Sequence, residues 1–168
     1  MTYLTRRTSI ELFLLAGSTT LFNKFNAMSQ ENLMNERESN ERFERGLVKL
    51  KQIDGEAGEK VIESLKGIAP DLARYVIEYP FGDVYSRKGL DLKSREITTV
   101  SALTAMGNAK PQLKVHIHGA LNVGCSREEI VEIMIQMSVY AGFPAALNGI
   151  FVAKEVFQER DNKGLSDI

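Results

Sequence analysis

The chain has 168 residues, 43% of them hydrophobic and 26% charged, the balance of a folded domain rather than of a disordered or fibrous chain. Its 21 basic and 22 acidic side chains leave a net charge of −1, so no overall field draws it to nucleic acid or to an anionic membrane. A single cysteine excludes an internal disulfide, a CxxC redox pair and any multi-cysteine metal site, and two histidines leave little for zinc.

Residues 1–27 differ in character from the rest of the chain. Thr5-Arg6-Arg7 precedes an apolar stretch from Leu12 to Ala16 and a weaker one to Phe22, which is the order of a bacterial export signal with twin arginines. Ser9 stands where such signals carry a bulky residue, Glu11 interrupts the apolar part, and Phe25 spoils a cleavage site after Ala27. Two readings stay open: a signal that sends the chain to the periplasm, or an extension ahead of Met28 on a cytoplasmic protein. No run of about 18 apolar residues exists, so no ordinary membrane span is expected.

Residues 28–39 read as a polar lead-in, 40–160 as the folded domain and 161–168 as a tail. Glu31, Glu36, Arg37, Glu38, Glu41, Arg42, Glu44 and Arg45 mix both charge signs, and the spacing predicts a solvated segment that becomes helical near Asn40. Beyond it, breakers fall at Asp54-Gly55, Gly67 with Pro70, Pro80 with Gly82, Gly89, Gly107 with Pro111, Gly124, and Gly142 with Pro144. The intervals suit helices better than strands, so an all-α fold is expected. Asp91 is placed to cap a helix running to Met106. Ser126 with Glu129 forms a capping box, and Pro144 fits the first turn of the last helix. Gly107, Gly124 and Gly142 stand where left-handed C-terminal caps belong. In the helix from 126 to 142, Ile130, Met134, Met137 and Ala141 make one apolar stripe, while Val131, Ile135 and Val139 lie away from it. A helix apolar on two faces predicts a subunit interface beside a core.

At 100° per residue, Leu113, Ile117, Ala120, Leu121 and Gly124 share one face of the next candidate helix, with His116 at its edge. His116 is expected to point inward or into a cleft, and His118, grouped with Lys114 and Asn122, toward solvent. Glu96 falls early in the preceding helix, where the helix dipole favours an acidic surface residue. Facing His116, it would instead orient the imidazole or share its proton. Phe81-Gly82-Asp83-Val84-Tyr85-Ser86-Arg87 reads as an aromatic connector of the kind that roofs a pocket. Arg87 at its end is suited either to holding a carboxylate or to a surface salt bridge. Cys125 lies near a helix N-terminus, where a thiol can be acidified, yet with no second cysteine it reads as a small buried residue.

Several ordered motifs together resemble the carboxymuconolactone decarboxylase family. They are Glu44-Arg45-Gly46-Leu47, the connector from Phe81 to Arg87 with Gly89-Leu90-Asp91, Arg95-Glu96-Ile97, and Ser101 to Gly107. Gln112-Leu113-Lys114-Val115-His116-Ile117-His118-Gly119-Ala120-Leu121-Asn122-Val123-Gly124, Glu128-Glu129-Ile130 and Tyr140-Ala141-Gly142-Phe143-Pro144 complete the pattern over about residues 40–160. The resemblance implies an all-helical domain of the alkylhydroperoxidase D type, assembled as a trimer or hexamer. It implies loss of CO2 from 4-carboxymuconolactone or a related small lactone acid, without a cofactor. His116 would be the proton donor or dienolate partner and Glu96 would orient it. Arg87 would hold a substrate carboxylate, and Tyr85 and Tyr140 would line the pocket. The peroxidase branch of that superfamily carries Cys-x-x-Cys ahead of the histidine. Here those positions are Ala109 and Gln112, and disulfide exchange needs both thiols. Glu96 departs from the decarboxylase pattern toward the peroxidase one. Two alternatives therefore accompany the enzyme reading: a redox protein using Cys125, and a non-catalytic oligomeric binding protein.

Overall fold

A computed structural model describes residues 6–55 and 57–165. Its described elements are all helical: α1 (Arg6–Asp54), α2 (Ala57–Leu65), α3 (Pro70–Val76) continuing into a π-helical turn (Ile77–Val84), α4 (Leu92–Met106), α5 (Lys110–Asn122), α6 (Arg127–Tyr140) and α7 (Phe143–Lys163). Thr5, part of the twin-arginine reading, and residues 166–168 of the expected tail lie outside the described residues. No described helix is long and apolar enough to cross a membrane.

Two compact units divide between Glu41 and Arg42. In the first, the helix does not wait for Asn40. It is already formed at Arg6, because residues 18–45 contain neither Gly nor Pro and are rich in strong helix formers. The mixed charges act along the helix, as where Arg37 Nε donates to Glu41 Oε1 at 3.1 Å, one turn on and exposed.

The second unit has two hydrophobic clusters. Around the larger one, α4, α5, α6 and α7 pack on one another, with Val100, Leu113, Ile117, Leu121, Ile130 and Met134 among the buried residues. Full burial of side chains of this size stabilises by about 1.5–3 kcal/mol each. The smaller cluster joins the end of α1 to the π-helical turn through Leu50, Ile53 and Phe81, with Ile62, Val76 and Tyr85 against it.

The expected caps form. Asp91 accepts from the Ser94 N–H at 2.7 Å, Ser126 and Glu129 complete their reciprocal box, and Pro144 sits in the first turn of α7. Gly107 closes α4 with a left-handed φ of 71°. Gly142 departs from expectation. Its φ of 85° is paired with a ψ of 161°, so it opens α7 in an extended conformation instead of closing α6 in a left-handed one.

Two further expectations are corrected. The tail is helical as far as Lys163. The stretch from Phe81 to Val84 is not a loop but part of the π-helical turn, with Pro80 inside it. Proline breaks an ordinary helix by removing an N–H and crowding the carbonyl one turn back, and a wider turn relieves both. The Tyr85 N–H accordingly bonds five residues back, to the Pro80 carbonyl at 2.7 Å. This turn lies directly on α1. Arg45 Nε donates to the Gly82 carbonyl at 2.7 Å, and a Cβ at Gly82 would stand 2.5 Å from the Arg42 carbonyl oxygen.

Candidate active site

Along α4, Glu96, Val100 and Thr104 repeat at intervals of four and are all buried, so the stripe that fills the core also carries a carboxylate inward. On α5, His116 and Gly119 lie three residues apart and therefore neighbour each other on the helix surface. Gly119 leaves the space that Glu96 occupies, since a Cβ there would come within 3.4 Å of Glu96 Oε2 and 2.8 Å of Ile53 Cγ2. His116 Nδ1 meets Glu96 Oε2 at 2.9 Å. The carboxylate is fully buried and the imidazole 23% exposed. Glu96 Oε1 has no protein hydrogen-bond partner among the described residues.

With Nδ1 engaged by a carboxylate, the other ring nitrogen, Nε2, is left to exchange a proton. His116 lines a cavity of about 330 Å³. Its apolar walls include Leu50, Ile53, Val61, Val76, Phe81 and Val115, and Asp54 and Gln112 add polarity. Asp54, read from sequence only as half of a turn, is thus a site residue that sequence reasoning missed. Burial drives its carboxyl up to about 6, against the pull of His116 and with the push of Glu96.

The other expected residues are placed differently. The Tyr85 hydroxyl shares a hydrogen bond with Thr99 Oγ1 at 2.8 Å. Its phenol is held well above the usual range by burial and by nearby Glu96. Tyr85 thus belongs to the surroundings of Glu96. Arg87 is exposed, and its carbonyl accepts from Arg95 at 3.0 Å. Tyr140 is 76% exposed at the end of α6. Neither Arg87 nor Tyr140 lines the His116 cavity.

His118 does not face solvent. It is only 20% exposed, its Nε2 lies 3.3 Å from Glu159 Oε2, and burial lowers its pKa against the opposing pull of Glu159. Lys114 pairs with the same glutamate, and Asn122 bonds both Arg160 and the Ile53 carbonyl. The polar face of α5 is therefore an interface with α7 and α1. Cys125 is fully buried, and burial pushes its thiol up to about 11.

Residues 70–155, slightly more than half of the chain, match the family model for the carboxymuconolactone decarboxylase family. The chain belongs to that family. It is 33% identical over 103 residues to an uncharacterised 15.0 kDa protein of Paracoccus denitrificans, covering 61% of this chain and 77% of the relative. It is 29% identical over 120 residues to 4-carboxymuconolactone decarboxylase of Acinetobacter baylyi, covering 71% of this chain and 89% of that protein. A third relative, nitrosuccinic acid decarboxylase of Metarhizium robertsii, is 28% identical over 125 residues, 73% of this chain and 85% of the relative. Glu96 and His116 both fall within the family segment.

Proposed function

We propose that the protein is a cofactor-free decarboxylase of 4-carboxymuconolactone or a related small lactone acid, working by acid–base chemistry at His116. The observation that carries this is His116 on the wall of the cavity, backed by the buried Glu96 at its Nδ1. Decarboxylation leaves an electron pair that an unsaturated lactone delocalises onto its carbonyl oxygen. The enzyme then needs a cationic or hydrogen-bonding group at that oxygen and a proton for carbon. His116, held at Nδ1 by a buried carboxylate, presents its other ring nitrogen to that oxygen. Two relatives named as decarboxylases of small acids support the same reaction type.

The redox alternative requires a reactive thiol, whereas Cys125 is fully buried with a raised pKa. Cys125→Ser is expected to leave turnover unchanged. The homo-oligomer belongs to this proposal as well. Ile135, Val139 and Tyr140 on α6 and Phe143, Leu147 and Phe151 on α7 are each more than half exposed, a set of large apolar groups suited to a second copy of the chain.

The test is turnover of 4-carboxymuconolactone, followed by ultraviolet absorbance, for wild type and for His116→Ala and Glu96→Gln. We expect His116→Ala to lose at least about 100-fold in kcat. Glu96→Gln should lose less, because the amide still contacts Nδ1 but carries no negative charge. A folded wild-type protein without turnover sinks the named substrate. A fully active His116→Ala sinks the mechanism.

A further inference from the structure

The cavity holds a second carboxyl that the His116–Glu96 pair leaves unused. Asp54 is the last residue of α1, 9% exposed, and lines the same cavity as His116, Leu50, Ile53 and Val61. Its position is fixed from several sides. The Gly58 N–H of α2 donates to its carboxyl. The preceding Ile53 carbonyl accepts from Asn122 Nδ2 at 2.9 Å, and Asn122 Oδ1 in turn accepts from the buried Arg160 at 2.9 Å. The charged groups that act on it are His116 of α5 and Glu96 of α4. Two carboxyls around one imidazole in an apolar wall compete for charge, and Glu96 has the imidazole in direct contact.

We propose that Asp54 is the acid that protonates the substrate carbon, so that the cavity divides its proton chemistry between Asp54 at carbon and His116 at oxygen. The proposal rests on the decarboxylase reading. In the step, the bond from carbon to the carboxylate breaks and CO2 leaves. The electron pair moves into the unsaturated lactone and builds charge on its carbonyl oxygen beside His116. The pair then returns to carbon and takes the Asp54 proton, and the Asp54 carboxylate is reprotonated from water. One carboxylate and one proton become CO2 and a new C–H bond, with no oxidant or reductant. Burial keeps a protonated fraction of Asp54 present near neutral pH, so a rate carried by this acid falls as pH rises past about 6.

The experiment uses the full-length protein and Asp54→Asn, with 4-carboxymuconolactone as probe and 13C NMR of the aspartate carboxyls as a second readout. Asn keeps the size and still accepts the Gly58 N–H, so binding should survive. The expected result is a kcat reduced about 100-fold, a KM within about threefold, and a residual rate without the decline at high pH. One aspartate resonance should titrate near 6 in the wild type and be absent from the variant. Wild-type kcat in Asp54→Asn, an unchanged pH profile, or an Asp54 that titrates together with exposed aspartates each overturns the proposal. If wild type does not turn the lactone over, the named substrate fails and the NMR titration decides the fate of Asp54. Titration near 6 then supports the acid, and ordinary titration removes it.

Discussion

Glu96 and Asp54 are two buried carboxyls around His116, one behind the imidazole and one on the cavity wall, and they have different partners. Glu96 is matched by an imidazole, while Asp54 is chiefly desolvated. The second condition has a consequence for stability. The Asp54 carboxyl is raised from 3.8 to about 6 in the folded state, so the protein binds a proton there more tightly than the unfolded chain does. Its contribution is fully present below about 3.8 and is lost as pH climbs through about 6. The cost at neutral pH is on the order of 2–3 kcal/mol. Urea unfolding should therefore find Asp54→Asn more stable than wild type at pH 8 and nearly equal to it at pH 4. A gain in stability joined to a loss of turnover is the pattern expected of a functional group rather than a structural one. At this scale the sequence was partly legible. Helical spacing put His116 at the edge of the buried face, whereas the position of Glu96 near the helix start favoured a surface reading, and the structure buries it in line with Val100 and Thr104. Asp54 was hidden because Asp-Gly reads as turn chemistry, and only tertiary contact shows what the carboxyl faces.

At the scale of elements, sequence reading succeeded where a helix end is marked by local chemistry and failed where an irregular helix is held by its neighbours. Asp91, Gly107 and Ser126 with Glu129 mark ends through bonds to nearby backbone, and Pro144 marks the start of α7 by having no N–H to satisfy. Ser126→Ala should cost about 1 kcal/mol, measured by chemical denaturation, because the N–H of Glu129 loses its acceptor. Pro80 and Gly82 read as breakers, yet they are parts of the π-helical turn. The turn is also tied to α1, whose Arg45 side chain donates to the Gly82 carbonyl across 37 residues, a contact that no local pattern encodes. Gly82→Ala is the corresponding test. Its Cβ would meet the Arg42 carbonyl oxygen at 2.5 Å, so the turn must shift, at a cost of about 1–3 kcal/mol. The same shift would move Phe81 in the cavity wall, and a rise in KM should accompany the lost stability.

For the whole molecule, the second apolar face of α6 was visible in sequence as Val131, Ile135 and Val139. The structure leaves Ile135 52% and Val139 74% exposed, and α7 carries exposed apolar residues of its own in Phe143, Leu147 and Phe151. If a second copy covers this face, Val139→Asp places a charge in an apolar contact, and light scattering should find a smaller assembly with an unchanged helical spectrum. The cavity adds a point about how such a protein diversifies. The proposed reacting residue His116 and its partner Glu96 lie inside the segment of 70–155 that matches the family. Leu50, Ile53, Asp54, Gly58 and Val61, close to half of the cavity wall, come from the chain before it. The apolar lining from this stretch, Leu50, Ile53 and Val61, can therefore vary while the proposed acid Asp54 and the His116–Glu96 pair are kept. Grafting residues 42–69 from a relative with a different acid as substrate, with Asp54 retained, should transplant preference while His116 and Glu96 keep their geometry, which makes the apolar positions of this stretch the first to randomise in a search for new specificities.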